Sequence, residues 1–159
     1  MATLRSTVAG TSFIPVTRPQ GAVHGYGFSL AVSANPTAND IWILGKIPSG
    51  CALIDFWIDV PDMDSDGTGS ISLAVGDEED DDRFVAATTT FKGGRTLVSP
   101  RLVTTGQAVG VIAGTVPRTY TENSFLAIKV AVAAVTFAAG TIKGAYYYTD
   151  YPKYRDPGQ

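Results

Sequence analysis

The sequence contains one cysteine, Cys51, and one histidine, His24. A single cysteine excludes an internal disulfide and any cysteine-rich metal site. His24 has no second histidine, cysteine or carboxylate at the spacing of a metal site or a catalytic triad, so we expect it to be a packed or interface residue. Phosphate loops, nucleophile elbows and paired catalytic carboxylates are also missing. The sequence therefore predicts that the protein is not an enzyme.

Long apolar runs are missing as well. No stretch of about 18 apolar residues is present, so we expect no membrane-spanning segment. Residues 1–16 lack the pattern of a signal peptide, and we therefore expect synthesis in a cytoplasm without Sec-type export. The net charge of −3, from 12 basic and 15 acidic residues, argues against a general role in binding nucleic acid.

The chain is rich in glycine and proline and contains short segments in which apolar and polar residues alternate. There are 17 glycines and 9 prolines, and no window keeps a helical period. This pattern predicts an all-β protein, a single-domain, jelly-roll-like β-sandwich of seven or eight antiparallel strands. We divide the chain into an extended N-terminal arm (1–20), the β-sandwich domain (21–151) and a C-terminal tail (152–159).

The clearest predicted strand covers residues 51–60, because apolar residues alternate there with aspartates and a tryptophan. The side chains predicted to point inward are Ala52, Ile54, Phe56, Ile58 and Val60. A second strand repeats the alternation with Ile71, Leu73 and Val75. Further strands are predicted at 22–33, 41–47, 107–114, 124–135 and 141–151, the last two forming a hairpin. Residues 84–103 are predicted to be mostly irregular, and 116–123 to be a loop.

Acidic residues are unevenly distributed. Eleven of the fifteen lie between Asp55 and Asp82, where there is no lysine or arginine. Asp62, Asp64 and Asp66, followed by a glycine, form a turn of alternate carboxylates that could bind calcium. Leu73 stands where an EF-hand loop carries its last glutamate, which excludes that motif. The alternative is a hairpin loop whose carboxylates cap their own turn.

The six consecutive acidic residues 77–82 repel one another. They must therefore face water, a cation or the basic surface of a partner subunit.

Aromatic residues crowd the C-terminal strand and tail. Tyrosines on both faces of one strand are typical of a surface that is partly apolar and partly wet, as interfaces are. A platform on which sugars stack is the alternative. The residues we expect at an interface are Phe13, Ile14, Trp57, Tyr147 and Tyr151.

Residues 47–90 carry a recognisable combination: an Ile-Pro-Ser-Gly entry, a strand rich in Ile and Asp, an Asp-rich turn, then Leu-Ala-Val-Gly-Asp and an acidic stretch ending Asp-Arg-Phe. Together with the Gly-Thr-Ile-Lys-Gly-Ala-Tyr-Tyr-Tyr ending, this resembles small virion proteins of tailed bacteriophages, of the head decoration or minor capsid type. The resemblance covers about half of the chain.

The resemblance implies a β-sandwich on the outside of a capsid or at its vertices, without catalysis, and we expect no cofactor apart from the calcium considered above. Its partners would be further copies of itself, with a trimer favoured, and the major capsid protein. The alternative function is a carbohydrate-binding module or a component of a head spike or fibre base, which could depend on calcium.

Overall fold

The structure is a computed structural model that describes residues 2–7, 22–66, 70–89, 96–98 and 116–150. These residues form ten strands and no helix. The strands are β1 (Thr3–Arg5), β2 (Val23–Val32), β3 (Ile41–Ile47), β4 (Cys51–Val60), β5 (Ser72–Gly76), β6 (Val85–Thr88), β7 (Thr96–Val98), β8 (Arg118–Tyr120), β9 (Ser124–Val132) and β10 (Gly140–Asp150).

The strands form two sheets. Sheet A has the order β1-β3-β9-β5-β6, and sheet B has the order β2-β10-β4-β7, with β8 paired to β4 beside β7. All pairs are antiparallel except β1 with β3. Residues of both sheets pack into one apolar cluster, so the described chain is an all-β sandwich, as the sequence predicts.

The core follows the alternation read from the sequence. Inward positions of β2, β4, β5, β9 and β10 are buried and share the cluster: Phe28, Leu30, Val32, Phe56, Ile58, Val60, Leu73, Val75, Leu126, Ile128, Val130, Ile142, Tyr146 and Tyr148. Because successive side chains of a strand point to opposite faces, their intervening neighbours form the two outer faces of the sandwich.

One half of β4 departs from the predicted phase. Asp55 pairs with Tyr147, but Leu53 pairs with Tyr148, so Ile54 is an extra residue on β4. Such a bulge inverts the alternation beyond it. Leu53 therefore lies in the core cluster and Ile54 is only half-buried. The predicted inward position of Ile54 was wrong for this reason, whereas Ala52 is buried.

The predicted terminal hairpin was also wrong, since β9 belongs to sheet A and β10 to sheet B. The turn residues between them do reverse the chain, but they carry it across the sandwich instead of back along the same sheet. Short strands also interrupt two segments predicted to be irregular: β6 and β7 lie within 84–103, and β8 lies within 116–123. The predicted strand at 107–114 lies outside the described residues.

The first residues of the chain are part of the sandwich. After β1, the amide of Ser6 donates to the carbonyl of Ile43 at 2.9 Å, and the amide of Thr7 donates to the carbonyl of Ser29 at 3.1 Å. Ile43 lies on β3, next to the edge strand β1 of sheet A, and Ser29 lies on β2, the edge strand of sheet B. Residues 2–7 thus tie the edge of sheet A to the edge of sheet B.

The contact between Gly45 and Tyr146 gives a first testable prediction. A methyl group on Gly45 would overlap the Tyr146 ring, which is buried in the core, whereas one on Gly27 would meet only the Gly144 carbonyl oxygen at 3.8 Å. We expect Gly45→Ala to lower the free energy of unfolding by about 2–4 kcal/mol, because an overpacked core cannot relax fully. Gly27→Ala is the matched control and should change it by less than about 1 kcal/mol. Urea unfolding followed by fluorescence measures both, and equal losses would contradict the described packing.

Candidate functional site

The candidate site is centred on the carboxylate of Asp64, which is 2% exposed. Its Oδ2 accepts hydrogen bonds from the amides of Ser70 at 2.7 Å, Ile71 at 3.1 Å and Val135 at 3.3 Å. Its Oδ1 accepts one from the amide of Thr136 at 3.1 Å. Four backbone donors from two separate segments therefore surround one carboxylate.

These bonds determine how the group titrates. Burial by itself would raise the pKa of Asp64, since it penalises the charged form. The hydrogen bonds from Thr136, Ser70, Ile71 and Val135 together outweigh that effect and lower the pKa to about 2. The folded protein thus holds Asp64 as a carboxylate at any pH above about 4.

Asp64 stands where two connections cross the sandwich side by side. One leads from β4 in sheet B to β5 in sheet A, and the other from β9 in sheet A to β10 in sheet B. Asp64 itself forms a β-bridge with Phe137. The amide of Ala138 donates to the carbonyl of Met63 at 3.1 Å, which extends the pairing. The carboxylate and the bridge hold the two crossings together.

The structure does not gather the predicted metal ligands into one group. Asp62 is exposed, and its Oδ1 accepts the amide of Asp64 at 3.1 Å, which is a turn-capping bond. Asp66 is half-buried. Among the described residues, the three carboxylates that lie within 4.8 Å of one another are those of Asp80, Asp81 and Asp82. The geometry of Asp62 and Asp64 matches the capping alternative, and calcium binding at Asp62–Asp66 stays a prediction.

The acidic run is a folded loop organised by Asp77, whose side chain is 0% exposed. Its Oδ1 accepts the amides of Glu79 at 3.1 Å and Asp80 at 3.0 Å. Its Oδ2 pairs with Arg83 Nε at 2.8 Å and accepts the hydroxyl of Tyr120 at 3.1 Å. Burial and the Asp77 charge raise the pKa of Tyr120, so its phenol keeps the proton that it donates.

Basic residues of the same chain neutralise much of this loop. Arg118 on β8 pairs with Glu79 at 2.7 Å, and Lys129 on β9 pairs with Asp81. A side-chain hydrogen bond with Asp80 is the main cause that raises the pKa of Asp82, followed by burial and nearby negative charge. From the sequence we expected these acidic residues to face water, a cation or a partner subunit. Their pairing with arginines and a lysine of the same chain was not predicted.

The loop also closes the outer face of sheet A. A Cβ added at Gly76 on β5 would overlap the backbone of Asp80 and Asp81, so the loop lies directly on the strand. Ala74 and Ala127, which point outward next to it, are buried. Of the basic residues, only Arg83 could have been found from the sequence, because it ends the acidic run, whereas Arg118 and Lys129 reach the loop through tertiary structure.

His24 and Cys51 both meet Asp150 at one end of sheet B. His24 Nε2 lies 3.5 Å from Asp150 Oδ2, and Cys51 Sγ lies 3.5 Å from Asp150 Oδ1. The His24 ring packs on Tyr148 with 5.5 Å between centroids. The carboxylate lies between the thiol and the imidazole, whereas a nucleophile would need the imidazole in that middle position. These contacts describe a packed histidine.

The tyrosines of β10 divide between core and surface. Tyr146 and Tyr148 are buried and stack with Tyr26 at centroid distances of 5.8 and 5.6 Å. Tyr147 points to the outer face, and Trp57 on β4 lies on the same face, 37% exposed. Two of the tyrosines proposed for a sugar platform are therefore inside the protein.

The roles of Trp57 and Tyr147 at an interface stay predictions. Phe13, Ile14 and Tyr151, predicted at the interface with them, lie outside the described residues.

Comparison with solved structures places this architecture among phage proteins. A chain from the capsid of Ralstonia phage GP4 matches with a TM-score of 0.72 and 26% identity, covering 94% of this chain and 98% of that chain. A chain from the capsid asymmetric unit of cyanophage Pam1 matches with a TM-score of 0.61 and 21% identity, covering 88% of this chain and 93% of that chain. The chain has the fold of phage capsid proteins.

No protein-family model matches the sequence, and no curated protein is significantly similar to it. In the part of the chain that the structure describes, no helix is long and apolar enough to cross a membrane. The phage capsid chains are nearly equal to this one in length, since each match covers most of both partners.

Asp64 gives a prediction with a defined pH dependence. Asp64→Ala leaves four backbone amides without their acceptor, and we expect the melting temperature to fall by roughly 5–10 °C at pH 7. Asp62→Asn is the control and should lower it by no more than roughly 2 °C, because that side chain is exposed and makes one local bond.

The sign of the pH effect follows from the lowered pKa. The Asp64 carboxylate stabilises the folded state fully above the unfolded pKa of 3.8, and this contribution is lost as the pH falls towards about 2. Melting curves of the wild type and of Asp64→Asn should therefore converge between about pH 4 and pH 2. A constant difference across that range would show that Asp64 does not carry the effect.

The acidic loop gives a prediction about buried and exposed ion pairs. Arg83→Met leaves the buried Asp77 carboxylate without its cation, and we expect a loss of about 3–5 kcal/mol in the free energy of unfolding. Lys129→Met removes an exposed pair and should cost less than about 1 kcal/mol, with an effect that salt screens. Urea unfolding at low and high salt measures both variants. Equal, salt-sensitive losses would mean that the loop is an ordinary solvated turn.

Proposed function

We propose that this protein is a structural component of a phage virion that decorates or cements the capsid through contacts with capsid subunits. The observation that carries the proposal is the likeness to a chain of the Ralstonia phage GP4 capsid over nearly the whole length of both chains. The Pam1 capsid match supports the same fold. An independent argument from the residues agrees, because His24 is packed on Tyr148 and the buried carboxylates of Asp64 and Asp77 accept backbone amides.

The strand order supports a jelly roll, the fold that we infer here. Without β1 and β8, the two sheets read β2-β10-β4-β7 and β3-β9-β5-β6. Early and late strands alternate within each sheet, as expected when a long hairpin of eight strands is wound into two layers. Jelly rolls recur in capsid proteins, where a rigid sandwich presents its faces and loops to neighbours.

The outer capsid surface is the position we propose, with the major capsid protein and further copies of this chain, as a trimer, for partners. A single small sandwich suits an attached component, because a capsid repeats the same site many times. Repetition converts a modest contact per copy into firm attachment of an oligomer through effective concentration. Catalysis and a bound cofactor have no part in the proposal.

The experiment is addition of the purified protein to phage shells that lack it. We expect saturable binding at a fixed number of copies per shell, density on the outer surface by cryo-electron microscopy, and shells that withstand more heat or denaturant. Binding should persist in a chelator, because the Asp64 carboxylate is satisfied by backbone amides.

Two results would contradict the proposal: no binding to shells, or density on the inside of the shell. Loss of binding in chelator, restored by calcium and accompanied by binding to glycans, would favour the carbohydrate-binding alternative. Light scattering of the free protein tests the trimer separately.

A further inference from the structure

The outer faces of the two sheets differ in how far they are covered by other parts of the chain. On sheet A the acidic loop covers β5, and outward residues of three strands, Ile43, Ala74 and Ala127, are buried. On sheet B, six uncharged outward residues of β2, β10 and β4 form a surface that we name the open face: Val23, Gly25, Gly27, Ala145, Tyr147 and Trp57. Val23 is 61% exposed and Trp57 is 37% exposed, whereas Ala145 is buried.

The open face is flat and uncharged at its centre. Gly27, Ala145 and Trp57 lie in one row across the three strands, because Ala145 pairs with Gly27 on one side and Trp57 on the other. In the next row Tyr147 leans over Gly25, where an added Cβ would come within 2.8 Å of the ring. A Cβ added at Gly27 would have only the Gly144 carbonyl oxygen of β10 within 4 Å, so a side chain fits there without overlap.

Trp57 and Tyr147 are of the residue types found at interface cores. Aromatic residues are enriched and charged residues depleted at the centres of protein interfaces. The charged outward side chains of these strands lie in the rows on either side of the central row: Asp55, Asp59 and Lys143. Asp59 is buried, so Asp55 and Lys143 would form a polar rim of both signs.

The area of the open face indicates what kind of partner it can bind. Three strands at about 4.8 Å spacing and seven residues at about 3.3 Å rise give on the order of 350 Å². A stable interface between two free proteins needs roughly 800 Å² from each partner. The open face is too small to hold a dimer in solution, but it suffices for one contact among many in a repeating shell.

We propose that the open face is the surface by which this protein packs against a subunit of the capsid shell, itself presenting small apolar and uncharged side chains there. This rests on the proposed function and names the contact surface within it. The central position is Gly27, and Trp57 and Tyr147 are the aromatic anchors on either side.

The test places a charge at the centre of the face without disturbing the fold. Gly27→Lys and Gly27→Glu are suitable because a side chain there enters open space. Ala86→Lys and Ala86→Glu are the matched controls, since Ala86 is exposed on β6 at the edge of the other sheet. Each variant is added to shells that lack the protein, and copies per shell are counted by quantitative gel analysis, with circular dichroism to verify the fold.

We expect both Gly27 variants to lose occupancy by at least roughly tenfold, because either charge would be buried without a partner, while both Ala86 variants bind like the wild type. The same occupancy for Gly27 variants and wild type would overturn the inference while leaving the proposed function intact. Failure of the wild type to bind would instead remove the proposed function.

A second measurement tests the alternative occupant. If the Gly27 variants bind shells normally but abolish an oligomer of the free protein seen by light scattering, the open face is a contact between copies of this chain. That result would also overturn the inference. Loss of occupancy in only one of the two charge variants would show electrostatic matching with the partner and would contradict an uncharged partner surface.

Discussion

The two crossings of the sandwich are held together by the buried carboxylate of Asp64, which binds backbone amides from both. In this sandwich, strands that follow one another in the chain often belong to different sheets, so the connections between them pass over the ends of the core. The backbone N–H and C=O groups there no longer pair with a neighbouring strand and still require hydrogen-bond partners. Asp64 supplies acceptors for four of these donors in one place. Since a charged acceptor bonds more strongly than a neutral one, the desolvation of the carboxylate is compensated and the group stays ionised.

This explains why an aspartate at this position resembled a metal ligand. Alternate carboxylates with a following glycine satisfy the requirements of a calcium loop, and nothing local to residues 62–66 shows that the donors come from residues 70–71 and 135–136. The distinction between binding a cation and binding amides depends on residues some seventy positions apart in the chain. The sequence therefore shows that carboxylates are concentrated at residues 62–66, but it does not show whether a cation or backbone amides bind them.

The strands themselves were predictable because burial of one face imposes a period of two on the sequence. That signal gave β2, β3, β4, β5, β9 and β10 with nearly correct bounds. It could not give the bulge at Ile54, which is a property of the pairing with β10, or the short strands β6 and β8, which are too brief for a period to appear. It also could not say which sheet a strand joins, since the same alternation suits either sheet.

The partners of the charged residues were the hardest feature to predict, because they are distant in the sequence. From the sequence, the acidic run was expected to face water, a cation or a basic partner, yet Arg83, Arg118 and Lys129 of the same chain pair with it. An acidic stretch thus has two physically different uses, attraction of another molecule and closure of the chain's own sheet. The second use requires a strand with no side chain in the way, which Gly76 provides. The acidic loop therefore covers sheet A itself, whereas no such loop is described over the open face of sheet B.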